Sequence, residues 1–349
     1  FDAPDLGIDF HGNISLEKDH NLDVMGSWRL AGYGFHPSKG TFSAGGPIES
    51  IDVNVALNDP SDIRVVGVIK DLFDNPTWIA DLDARNVNIE DWILHCPPII
   101  LKKVHGDMSG DFGHYRGLVI ADGYWGVADK LHLRSDIDGD VSGIAFKSLR
   151  LDRNDTSAVA TNASISWQKL FSWEADLDFS NFVLSMFFPD LDASVSSSFH
   201  SVGDVTEKGL EASFALKTME GRYTDYLWSA SGNIGLTEER IFSSDLTITS
   251  GSVGGKALVR YFDFSWADKL SWKTDLDLYQ FDPGFIHPEI TGKVSGRIKS
   301  VLTWEGDLPL GSLDIADLSG ELRGSELLGA GSIAIDGSAL SSSGLELFL

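Results

Sequence analysis

The sequence predicts an all-β fold built on a mainly antiparallel sheet. Three observations carry that prediction: period-two hydrophobic alternation, a turn-rich composition and a long internal repeat. In Ile51-Asp-Val-Asn-Val-Ala-Leu57, the residues Ile51, Val53, Val55 and Leu57 fall on one face. Leu210, Ala212, Phe214 and Leu216 do the same, as do Val294, Ile298, Leu302 and Trp304, with Lys293, Ser295, Arg297 and Lys299 opposite. Alternation of this kind places apolar side chains on one sheet face and polar ones on the other. It is the pattern of antiparallel sheets wetted on their second face, unlike the continuous apolar runs of buried parallel strands. Thirty-six glycines and 23% charged residues suit short strands joined by tight turns, and 42% hydrophobic residues exclude a disordered chain.

The repeat has a period of roughly one hundred residues, far longer than a solenoid turn. Trp78-Ile-Ala-Asp-Leu-Asp-Ala-Arg-Asn-Val87, Trp173-Glu-Ala-Asp-Leu-Asp-Phe-Ser-Asn-Phe182 and Trp272-Lys-Thr-Asp-Leu-Asp-Leu-Tyr-Gln-Phe281 align without gaps. The second and third copies add an upstream tryptophan (Trp167, Trp266) and a downstream proline (Pro189, Pro288). The first copy lacks that tryptophan and has its prolines slightly later, at Pro97 and Pro98. On this basis residues 1–349 read as one continuous repetitive section, with approximate units 1–72, 73–166, 167–265 and 266–349. After each Asp-Leu-Asp strand the alternation breaks. Asn88 to Leu94, Phe182 to Phe188 and Phe281 to Ile286 are expected to form one or two helical turns ended by proline. Their bulky residues, Trp92, Ile93, Met186 to Phe188, Phe285 and Ile286, either plug an open sheet or pack within repeated sandwiches.

A formal charge of −25 excludes nucleic acid as a partner and a static platform on an anionic membrane. The single cysteine, Cys96, rules out an internal disulfide framework and a cysteine-rich metal site. No run of eighteen apolar residues would span a bilayer as a helix. The chain starts at Phe1 and ends at Leu349 within a strand-like stretch, and is expected to be an excerpt of a longer protein.

Motifs that could carry chemistry fail on spacing. Asp136-Ile-Asp-Gly-Asp140 begins like a calcium loop, but Val141 and Lys147 stand where glycine and glutamate are required, so a solvated turn is expected. The Asp81/Asp83, Asp176/Asp178 and Asp275/Asp277 pairs recur on the polar side of matching strands, which marks a structural signature and not three identical active sites. Gly251-Ser-Val-Gly-Gly-Lys256 is one residue short of a phosphate loop, and Ala257 replaces its magnesium-binding hydroxyl. The histidines are scattered, and no nucleophile–base–acid set stands out. No cofactor and no metal are expected, and the chain is not read as an enzyme.

The Trp-x-x-Asp-Leu-Asp strands, the Phe/Pro segments that follow and the glycine-rich return Gly292-Lys-Val-Ser-Gly-Arg-Ile298 resemble the TamB/AsmA-like family. The match is best over Trp272 to Lys299 and next best over Trp167 to Ser198. That resemblance implies a long sheet curled into an open hydrophobic groove, anchored in the inner membrane through a missing N-terminal segment and running through the periplasm of a diderm bacterium. It implies phospholipid as cargo, with acyl chains in the trough, and a TamA/BamA-type outer-membrane barrel as partner. Membrane contact would come through segments outside this chain. Trp78, Leu82, Trp173, Leu177, Phe179, Phe214, Leu216, Trp272, Leu276, Leu278, Ile298 and Leu302 are the expected floor. With about 12 residues per strand and ~4.8 Å between strands, the section would run on the order of 120–140 Å. An alternative role is assembly of outer-membrane β-barrel or autotransporter proteins through sheet-edge pairing. A third is a closed-sandwich binder using aromatics such as Tyr124 and Trp125.

Overall fold

The structure is a computed structural model of the 349-residue chain. It describes all residues except 1–4, 16–19, 33–34, 92–97, 126–128, 155, 169–170, 184–192, 207–208, 224–225, 251–253, 286–289, 307 and 349. The described residues form 23 strands in two compact units, Phe1–Gln168 and Lys169–Leu349.

The first unit is an antiparallel meander of β1 (Asp5–Ile14), β2 (Asn21–Gly32), β3 (Phe35–Pro47), β4 (Ser50–Asp59), β5 (Asp62–Lys70) and β6 (Thr77–Asn88). It continues through β7 (Ile99–Asp111), β8 (His114–Trp125), β9 (Asp129–Asp140), β10 (Gly143–Arg153) and β11 (Thr156–Ser166). Each strand pairs with the next. The hairpins are closed by short side chains. The Asp111 carboxylate accepts from the Gly113 and His114 amides, both at 2.7 Å, and Asp140 does the same for Ser142 at 2.7 Å and Gly143 at 3.1 Å. These turn bonds hold both carboxyls below the usual aspartate range, through the Gly113 amide first for Asp111 and the Ser142 hydroxyl first for Asp140.

The second unit repeats the plan with β12 (Phe171–Val183), β13 (Ala193–Thr206), β14 (Gly209–Tyr223), β15 (Tyr226–Thr237), β16 (Arg240–Ser243) and β17 (Leu246–Ser250). It is completed by β18 (Gly255–Ser265), β19 (Ser271–Phe281), β20 (Gly292–Glu305), β21 (Leu308–Leu322), β22 (Ser325–Asp336) and β23 (Ala339–Phe348). One strand position is split: β15 pairs with both β16 and β17, and both pair onward with β18. At the break the Asp245 carboxylate takes over the ladder, accepting from the Asn233 amide at 2.9 Å and its side-chain nitrogen at 2.7 Å. Strands run longer than the expected spacing, up to 15 residues in β14 and β21.

Two expectations need correction. The helical turns expected from Asn88, Phe182 and Phe281 are shorter or start later, because β6 and β19 end on Asn88 and Phe281 and β12 runs on to Val183. The break in alternation is a left-handed residue within the strand: Asn86, Asn181 and Gln280 have φ of 52°, 53° and 46°. In β12 and β19 it forms a β-bulge, so Phe182 lies opposite Val195 and Phe281 opposite Val294. An extra residue reverses the parity. The apolar residue nine positions after each tryptophan therefore returns to the tryptophan's own face. Single 3-10 turns do follow, at Ile89–Asp91 and Pro283–Phe285. Trp92, Ile93, Met186 to Phe188 and Ile286 lie outside the described residues. Tyr124 and Trp125 are successive on β8, so they point to opposite faces and make no shared platform.

The core is thin. Among the described residues the largest fully buried side chains are no bigger than Ile51, Ser201 and Ser250. The accessible surface is 21241 Å², whereas two compact globules sharing the chain's mass would expose roughly 17,000 Å². Many apolar side chains of each unit are accordingly only partly buried. Ala257, Leu278, Phe281, Val294 and Leu327 are buried together in a cluster at one end of the strands of the second unit.

Candidate functional site

Register assigns every strand pair a face. In the first unit Trp78 lies opposite Ile69 and Gly110, and Leu82 opposite Val65 and Gly106. The same face continues through Val55, Phe42 and Gly26 in one direction and through Val119, Ser135 and Leu149 in the other. In the second unit Leu177 opposes Phe199, Phe199 opposes Leu216, and Phe214 opposes Ile234. Further along, Leu276 lies between Val259 and Ile298, and Trp272 between Phe264 and Leu302. Trp173, Phe179 and Leu278 belong to the same surface. All twelve expected floor residues thus lie on the apolar face of their own unit. Leu216 and Leu278 are buried and the other ten only partly so.

The tryptophans are positioned by bonds that both later copies share. Trp173 and Trp272 each donate from the indole Nε1 to a serine hydroxyl on the next strand, Ser201 and Ser300, both at 3.0 Å. The left-handed residues Asn181 and Gln280 each donate their amide to another serine there, Ser196 at 3.1 Å and Ser295 at 2.9 Å. The upstream Trp167 and Trp266 clasp the preceding hairpin, donating from Nε1 to the Val141 carbonyl at 3.0 Å and the Glu238 carbonyl at 2.8 Å. At the same sequence spacing the first copy has Gly106 and Leu101, and Trp78 donates to the Asp111 carbonyl at 2.8 Å instead. These serines were missed in the sequence, although their fixed spacing from Trp173 and Trp272 is present there.

The Asp-Leu-Asp carboxylates occupy the opposite, polar face, and one of each pair meets a cation or histidine of the next strand. Asp83 meets His105 at 3.3 Å, Asp176 meets His200 at 3.3 Å, and Asp275 takes a bidentate Arg297 at 2.8 and 2.6 Å. Hydrogen bonding from Arg297 holds the Asp275 carboxyl below the usual range. Asp277, paired with Arg260, is buried and so departs from the water-exposed placement expected of these pairs. The acidic run is also engaged and is not a solvated turn. Asp136 accepts from the Ser148 hydroxyl at 2.9 Å, Asp138 meets His114 at 2.6 Å, and Asp140 closes the β9–β10 hairpin. Lys256 of the glycine-rich segment lies in β18, which enters from a strand-to-strand connection. Among the described residues no group of three or more His, Cys, Asp or Glu is placed to hold a metal ion. No helix of the described residues is long and apolar enough to cross a membrane.

Each unit is thus an antiparallel meander with one apolar face and one face carrying cross-strand ion pairs. Residues 1–257 match the family model described as TamB, N-terminal domain, and the chain belongs to that family. Comparison with curated proteins and with solved structures gave no match.

Proposed function

We propose that this chain is a section of a periplasmic conduit carrying phospholipid acyl chains along its apolar face between the inner and outer membranes, in support of outer-membrane biogenesis. The observation that supports this most is the unbroken apolar face of each unit, left partly open where a sandwich would cover it. Each methylene moved from water onto such a floor gains at most roughly 0.8 kcal/mol. Three buried hydroxyls of the second unit's floor are taken up internally: Ser201 and Ser300 by tryptophan, Ser243 by the Asn233 carbonyl at 2.6 Å. The surface therefore favours hydrocarbon over head groups. An outer-membrane barrel of the TamA/BamA type is the proposed receiving partner, and an inner-membrane anchor outside this chain the proposed start.

Strand pairing weighs against the assembly-factor role. Both edges of β2 to β10 and of β13 to β22 are already paired, so a client strand would be confined to the strands outside those runs. The test combines mass spectrometry of the detergent-free purified chain with transfer assays on Leu177→Asp and Leu276→Asp. Stoichiometric phospholipid, and loss of transfer by the folded variants, are expected. Normal transfer by folded charged variants would overturn the conduit.

A further inference from the structure

The floor is not uniform. Between β12 and β15 it opens into a hollow of about 300 Å³ lined by Phe179, Phe182, Val195, Phe199, Met219 and Trp228, with Ser197 at its base. Its wall exposes no polar atom: the Ser197 hydroxyl is turned away, donating to the Thr218 carbonyl at 3.1 Å. Four other hollows lie on the opposite, polar face and carry charged or hydroxyl side chains, among them Glu220 and Arg222, Asp9 and His11, Arg116 and Asp136, and Arg29 and Lys39.

Three local features make the hollow. The bulge at Asn181 returns Phe182 to the floor, where its ring centroid lies 5.7 Å from that of Phe179. Phe199 continues the aromatic wall, 5.6 Å from Phe179 and 5.9 Å from Phe214. On the far side Trp228 lies across Gly221, where an added Cβ would come within 2.5 Å of the indole ring. Small residues at Ser197 and Gly221, ringed by large ones, give the floor its depth.

We propose that this hollow is a discrete docking station for a single acyl chain, at which a lipid pauses with its tail end seated among the four aromatic rings. The inference rests on the conduit reading and deepens it. Size and chemistry select the occupant. At the ~30 Å³ that a water-sized group occupies in a liquid, the hollow takes on the order of ten methylenes. Water needs two to four polar partners, and this wall offers none. Because no polar atom lines the hollow, it distinguishes tails and not head groups, so a free fatty acid and a phospholipid of the same chain length compete for it.

The test uses the delipidated full chain and palmitic acid carrying a photoactivatable diazirine near its methyl end, with adducts mapped by mass spectrometry. Saturable labelling concentrated on Phe179, Phe199, Met219 and Trp228 is expected, competed by a phospholipid. Phe199→Ser should weaken it about tenfold, the scale of losing one buried aromatic wall. Ser197→Leu, which fills the hollow while keeping its walls, should weaken it similarly, and Leu276→Ser elsewhere on the floor should leave it unchanged. Equal labelling along both floors, or loss on Leu276→Ser as large as on Phe199→Ser, overturns the station while leaving the conduit standing. No labelling of the folded chain overturns both.

Discussion

At the residue scale, two kinds of position hold the sheet in its local shape: left-handed residues and cross-strand ion pairs. Asn181 and Gln280 tolerate positive φ because their amides are bonded to Ser196 and Ser295 and their side chains are unbranched at Cβ. Asn181→Val and Gln280→Val should each cost about 1–3 kcal/mol, measured by urea unfolding, whereas glycine at either site should be nearly neutral. Equal stability of the valine and glycine variants would mean the conformation is not demanded there. Asp275 makes a pH-dependent contribution. Its folded pKa lies below its ordinary value, so the stabilisation is fully present above that ordinary value and is lost as pH falls through the folded pKa. Asp275→Asn should therefore cost about 1 kcal/mol at neutral pH, a figure reduced by solvent around the pair. The gap from wild type should close as the medium is acidified below about pH 4. A gap independent of pH would remove the ion pair as its cause.

At the element scale, the repeat is a strand plus its bulge, and that is where sequence reading reached its limit. Alternation alone located the floor, because a period of two assigns Trp173, Leu177 and Phe179 to one face wherever the strand is regular. It could not show that the regularity ends at Asn181 and is recovered at Phe182, since asparagine is common in turns as well as in bulges. The apolar residue nine positions after each tryptophan was visible, but its odd spacing read as the start of a helix. With the bulge in place the same spacing brings Phe281 into the buried cluster with Leu278 and Val294. The serine partners of the tryptophans escaped notice because a hydroxyl carries no periodic signal. Inserting one alanine between Gln280 and Phe281, with the bulge kept by the Gln280–Ser295 bond, should shift the parity once more and turn Phe281 toward the polar face. Phe281 is only 6% exposed, and losing its burial should cost about 3–5 kcal/mol. Differential scanning calorimetry would read this as a large fall in the melting temperature, and hydrogen exchange should place the lost protection in β19 and β20. An unchanged melting temperature would show that the face to which Phe281 turns is immaterial.

At the scale of the whole molecule, apolar and acidic character are sorted onto opposite faces, and each has its own consequence. Few large apolar side chains among the described residues are fully buried, so stability must draw heavily on ladders and cross-strand pairs. The acidic surplus works against folding, since 52 aspartates and glutamates face only 27 lysines and arginines. Local pairs such as Lys269–Glu305 and Lys39–Asp59 are exposed at both partners and contribute little each. Long-range repulsion among unpaired carboxylates reaches ~30 Å at 0.01 M salt and only about 8 Å at 0.15 M. Raising the salt screens both terms, but the net charge of −25 makes repulsion the larger one. The melting temperature should therefore rise by about 2–4 °C between those salt concentrations, the equivalent of roughly 1 kcal/mol for units of this size. Chloride salts of sodium and potassium should act alike, because screening depends on ionic strength and not on a specific site. A fall in melting temperature over the same range would mean that the cross-strand pairs of Asp275, Asp277 and Asp263 outweigh the acidic surplus, and that the outer face is held together by its ions.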